Sequence, residues 1–222
     1  MTTKHRVPSK KQAVNSCRPP KRGGCAPCDT NLPTTLQGLV DHYQKMQNDR
    51  TSANNPLKSQ LDGYRELKEI KEAVTNAIQA KELVGKSYNL SGKRHGRRHG
   101  HQRRITPVAI SSARKKLSHK KWGFKSFEDL YACILDACKD IRGIGPLYIY
   151  DAALRIGACL NLEPKQVYLH AGALAGAKAL GINVESKIIS VTVFPAPIRK
   201  LKAHEIEDFL CIFKKELATF KA

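Results

Sequence analysis

The chain is 222 residues long with a formal net charge of +20, and 39 Lys and Arg face 19 Asp and Glu. That length suits one large or two small domains, and the charge favours a polyanionic partner, nucleic acid above all. No apolar run approaches the ~20 residues needed to cross a bilayer, and no apolar segment follows the basic N-terminus as in a signal peptide.

Residues 1–33 are rich in Lys, Arg, Pro and Gly and poor in apolar side chains, which predicts a flexible basic arm. Cys17, Cys25 and Cys28, with His5, have only partial metal-ligand spacing; a structural zinc needs four ligands, so no metal and no cofactor is expected. Leu36, Leu39, Val40, Tyr43 and Met46 mark a helix over 35–47. Leu57, Leu61, Tyr64, Leu67, Ile70, Val74 and Ile78 mark one long amphipathic helix ending near Leu83.

Residues 85–104 read as a loop. No Asp or Glu occurs between Glu82 and Glu128, while Arg97, Arg98, Arg103, Arg104, Lys120 and Lys121 all fall there. His95, His99 and His101 sit among these cations, which disfavours a metal and favours phosphate contact. Pro107 starts a helix to about Leu117. Trp122, next to Lys120 and Lys121, is either a stacking ring or, like Phe124, packing for the helix that follows. Ser126 with Asp129 predicts a capped helix over Phe127–Cys138.

Ile141-Arg-Gly-Ile-Gly-Pro-Leu-Tyr-Ile-Tyr-Asp-Ala-Ala-Leu-Arg-Ile156 carries the most information. Gly143 and Gly145 permit a sharp turn, Ile144 plugs the gap between two helices, and Pro146 opens the second. Arg142 adds a cation. Unpaired amides at such a turn accept a phosphate, although an ordinary αα-hairpin has the same outline. Pro164 predicts the start of a helix closed by Gly181; its small residues, Ala171 to Ala177, leave one side open to a close neighbour or a ligand. Lys187–Phe194 is a short strand, a helix or an extended loop. A final helix spans His204–Phe220. Cys133, Cys138, Cys159 and Cys211 fall in apolar helical patterns, as reduced core residues do, which suits a cytoplasmic or nucleoid setting. The fold expected is all-α, with one helical domain over 34–222 and the hairpin at about 127–160.

The hairpin segment, with Val167-Tyr-Leu-His-Ala-Gly-Ala-Leu-Ala-Gly-Ala-Lys-Ala-Leu-Gly181 beyond it, resembles the helix-hairpin-helix DNA glycosylase superfamily, the endonuclease III-like enzymes. Val167, Leu169, Leu180 and Gly181 match that family's second segment. The resemblance implies duplex DNA as partner and excision of a flipped, damaged or modified base. Two positions depart from the pattern: the family's catalytic Asp aligns with His170, and its lyase lysine aligns with Leu147. The leucine implies a monofunctional hydrolase that leaves an abasic site. The histidine implies that a carboxylate must come from elsewhere to face the sugar cation, and Asp151 and Glu163 are nearest in sequence. Each has a plain alternative, Asp151 as a partner of Arg155 and Glu163 as a charge near a helix start. A non-enzymatic hairpin module that binds DNA or RNA is the second reading, and an RNA-processing factor the third.

Overall fold

The computed structural model describes residues 32–49, 57–83, 102 and 104–220. Among these residues the chain is mostly helical: α1 (Leu36–Asn48), α2 (Leu57–Arg65), α3 (Ile70–Ile78), α4 (Pro107–Leu117), α5 (Phe127–Cys138), α6 (Pro146–Cys159), α7 (Ala171–Ala179) and α8 (Ala203–Ile212). The only sheet among them is antiparallel, β1 (Gln166–Tyr168) on β2 (Ile188–Ser190), with Val167 opposite Ile189.

Local chemistry sets several boundaries as expected. The Thr35 hydroxyl caps α1 through the Gly38 amide, and Thr106 caps α4 through the Ala109 amide ahead of Pro107. Ser126 accepts from the Asp129 amide at 3.1 Å, and its own hydroxyl donates to the Asp129 carboxylate at 2.7 Å. Such caps are worth about 1 kcal/mol each.

Two apolar cores result. The first surrounds α6, whose residues from Tyr148 to Ala158 are buried except Asp151, and draws in Tyr64, Ile78, Leu117, Phe127 and Ile134. The second joins α1 to α7 and α8 through Leu39, Tyr43, Ala173, Ile206, Phe209 and Leu210. Tyr150 and Tyr168 belong to the first core, and Tyr150 stacks obliquely against His170, with ring centroids 4.8 Å apart.

Three elements differ from the periodicity. The long helix over 57–83 is broken at 66–69, where the Leu67 amide donates to the Tyr64 carbonyl. An unbroken helix of that length would run about 40 Å. The 14 residues of α6 offer about half of that, so the chain folds back and lays both α2 and α3 along α6. Pro164 opens no helix. Val167 and Leu169 face the second core and Tyr168 the first, a period-two alternation that a helix cannot provide. The helix therefore starts only at Ala171, with His170 as its N-cap residue. At the C-terminus α8 stops at Ile212, and Glu216–Phe220 continues as a 3-10 turn that still buries Leu217.

Candidate nucleic-acid interface and active site

α5 and α6 are joined by a turn that brings Gly143 and Gly145 to the surface side of Ile144. Ile144 is buried in the first core, and its amide donates to the Ile141 carbonyl at 3.0 Å. Gly143 has φ +91°, a left-handed conformation that requires glycine. Gly145 does not share that requirement: its φ of −109° and ψ of 171° are open to any residue, and a methyl built on it meets nothing within 4 Å. What it contributes is open access to the amides at the start of α6. Among the described residues, the amides of Gly143, Gly145 and Leu147 donate to no backbone carbonyl. No acidic residue occupies the first turn of α6.

Arg142, Arg104, Lys120 and Lys121 are all exposed. Lys116, Lys120 and Lys139 gather round the exposed Asp136; the hydrogen bond from Lys139 leads in holding that carboxyl below its usual range. Cations thus flank the arm of the hairpin that leads into Gly143. Trp122 is half-buried against the first core and meets Phe124 edge-on at 6.1 Å, so its ring serves packing as well as any contact. Arg97, Arg98 and Arg103 lie outside the described residues, as do His95, His99 and His101 and the cysteines Cys17, Cys25 and Cys28. Among the described residues no group of three acidic, His or Cys side chains is placed to hold a metal. No helix among them is long and apolar enough to cross a membrane.

Behind the hairpin, α6, α7 and α8 meet in a polar cluster between the two cores. Asp151 projects from α6; its Oδ2 accepts from the amide nitrogen of Gln102 at 2.6 Å and lies 3.9 Å from Arg155. His170 is partly buried, with Nδ1 3.4 Å from Oε1 of Glu207. The next residue, Asp208, accepts from the Tyr43 hydroxyl at 3.1 Å and from the Gln47 amide at 3.0 Å. An edge of Asp208 stays accessible, yet its carboxyl is crowded. Burial pushes its pKa up to about 7, and the charges of Glu207 and Asp151 add to this against the two hydrogen bonds. Tyr150 completes the cluster. Burial, then the charges of Glu207 and Asp151, hold its phenol well above the usual value, and its hydroxyl has no hydrogen-bond partner among the described residues.

Tyr150 links Asp151 and His170: its ring meets His170, Asp151 follows it on α6, and the charge of Asp151 reaches both Tyr150 and Asp208, although Asp151 and His170 do not touch. Glu163 is not part of this group. Its carboxylate takes Lys202 at 2.8 Å and Arg65 at 3.1 Å. Burial works against its ionised form, but the Lys202 hydrogen bond and the charges of His204, Lys202 and Arg65 hold its pKa below the usual value. This ion cluster borders a cavity of about 290 Å³ lined by Tyr43, Gln47, Lys58, Arg65, Lys202 and His204, among others. Burial pushes the His204 imidazole down to about 4. Glu163 is thus held in an ion-pair cluster with Arg65 and Lys202, apart from Asp151 and His170. The small-residue side of α7 is also occupied. A methyl at Gly176 would collide with the Leu210 carbonyl, and one at Gly172 with Cys211, so α8 fills the space that a ligand would need.

Glu207, Asp208, Tyr43 and Gln102 are the cluster members that sequence reasoning missed. One signal was legible: Glu207 and Asp208 stand side by side between Ile206 and Phe209, an acidic pair inside an apolar helical face. No family model, no curated protein and no solved structure matches the chain.

Proposed function

We propose that the chain binds duplex DNA and hydrolyses the N-glycosidic bond of an extruded nucleotide, leaving an abasic site. The observation that carries this reading is His170 at the N-terminus of α7, stacked on Tyr150 of α6 with Glu207 on its Nδ1. The hairpin amides and the exposed cations beside them suit a phosphate backbone, which is bound mostly by charge. Extrusion is needed because the bond is out of reach inside a duplex.

The chemistry follows from the side chains. When Nδ1–H is donated to Glu207, Nε2 keeps its lone pair and takes a proton from water. Oxygen adds to C1′, the bond from C1′ to the base nitrogen breaks, and the base leaves with the electron pair. Positive charge builds on the sugar, and Asp151, with Asp208 when ionised, supplies the opposing charge. Leu147 supplies no amine for a Schiff base, so the strand stays intact. Damaged and modified duplexes incubated with the protein and then treated with hot alkali test this. Cleavage only after alkali is expected, and absence of alkali-labile product on every substrate removes the reading.

The close seating of α7 on α8 favours a second reading, a non-enzymatic binding module, because it denies a base the room beside the small residues of α7. That reading predicts salt-dependent binding unchanged by Asp151→Asn and His170→Ala, with no product. Competition among duplex DNA, single strands and structured RNA identifies the preferred partner.

A further inference from the structure

Gln102 comes from the cationic stretch between Glu82 and Glu128, yet its side chain ends in the polar cluster. It is 2% exposed, and its amide nitrogen donates to Asp151 Oδ2 at 2.6 Å, a short bond to a carboxyl oxygen. The Ile105 amide closes back on the Gln102 carbonyl at 3.2 Å, and Ile105 is itself buried in the first core. The turn is therefore anchored at both ends. Between the anchors it presents Arg104 to solvent. The two charged or polar groups on Asp151, Gln102 and Arg155, both address Oδ2, and no described group takes Oδ1. Arg155 is a weak restraint at 3.9 Å, so Gln102 decides where the carboxylate points.

We infer that Gln102 is a positioning residue that couples contact between the Arg104 turn and a nucleic-acid strand to the orientation of the Asp151 carboxylate. The inference rests on the proposed function for its chemistry, but the coupling itself is a property of binding. A phosphate drawn to Arg104 pulls on a turn held, among the described residues, by the Gln102 side chain on Asp151 and by the packing of Ile105. Asp151 Oδ1 then moves with strand engagement. A positioning shift of this kind, on the order of 1 Å, is enough to change a rate 100-fold without any change in affinity.

The test uses the full chain with carboxyl-labelled aspartate, the Asp151 resonance being assigned with Asp151→Asn, and a duplex oligonucleotide as the probe. In the unaltered protein, the duplex is expected to move the Asp151 carboxyl resonance. Gln102→Met keeps length and volume and removes the donor; it is expected to bind the duplex within about twofold of the unaltered protein and to abolish the movement. Arg104→Ala lies on the surface and leaves the fold in place, so it keeps the question open to measurement even if Gln102→Met does not fold; it is expected to diminish the movement. On a cleavable duplex, Gln102→Met is expected to lower the single-turnover rate about 10- to 100-fold at unchanged affinity. Duplex binding with an Asp151 resonance that stays still, or that moves equally in the variants, overturns this inference and leaves the proposed function standing. Coupled movement without excision on any substrate supports the inference and removes the enzymatic reading. No binding to any duplex overturns both.

Discussion

Asp208→Asn should make the protein more stable, and by an amount that grows with pH. The carboxyl is held by burial near 7, about 3 units above an ordinary aspartate. Below about pH 4 both folded and unfolded chains carry the proton. Between about 4 and 7 the unfolded chain releases it and the folded chain keeps it, so stability falls as pH rises, and above about 7 the loss is complete. The ceiling is about 4 kcal/mol, at 1.36 kcal/mol per unit, and the accessible edge of Asp208 brings the expectation to about 2–4 kcal/mol. Asparagine keeps an oxygen for Tyr43 and Gln47, both of which donate, and removes the charge. His204 pulls the other way. Burial lowers it to about 4, so its contribution is lost as pH falls from about 6.5 to 4, with a ceiling of about 3 kcal/mol. The two slopes nearly cancel in the unaltered protein between about pH 4 and 6.5. In Asp208→Asn only the histidine slope remains, so stability climbs through that range. Urea unfolding of both proteins at intervals from pH 4.5 to 8 reads the difference. A gap between them that is the same at pH 5 and pH 8 would refute the argument that an ionised Asp208 is what the fold resists.

Other expectations follow from the same geometry. Gly145→Ala meets no atom and adopts an allowed backbone, so it should leave the melting temperature unchanged while weakening duplex binding in a filter or anisotropy assay; unchanged binding would detach the hairpin from the interface. Gly143→Ala should cost about 1–2 kcal/mol, the penalty of a left-handed residue with a Cβ, measured by chemical denaturation. Gly176→Ala forces α7 away from the Leu210 carbonyl and should cost about 1–3 kcal/mol; a neutral result would mean the two helices are not seated as closely as they stand here. Glu207→Gln should lower single-turnover excision about 10²- to 10³-fold at unchanged duplex affinity, and equal rates would remove Glu207 from the chemistry.

Local signals written in a few adjacent residues were read correctly: the cap at Ser126, Pro107 at a helix start, the buried Ile144, and Gly181 in the left-handed conformation. Contextual features were not legible. Apolar spacing from Leu57 to Ile78 is continuous, and only the limited length of α6 tells the chain to break near Leu67. The sequence Val167-Tyr-Leu169 is compatible with a helix until two separate cores lie on opposite sides of it. The site shows the same division. His170 was singled out because it aligns with the glycosylase pattern, and Asp151 because it lies near the hairpin in sequence. Glu207 and Asp208 lie more than thirty residues further on and reach His170 and Tyr43 only through the seating of α8. Glu163 was drawn in by the same nearness in sequence, and Arg65 and Lys202, remote along the chain, hold it in a different cluster.

The glycines of α7 have a mechanical consequence. Main chain rests on main chain at Gly176 and Leu210, and at Gly172 the Cys211 side chain fills what little space remains, so α7 and α8 are seated with no room to spare. His170 at the start of α7 and Glu207 on α8 are thereby held in one fixed relation. The contact between the His170 and Tyr150 rings, by contrast, is ring against ring, with no hydrogen bond to hold it.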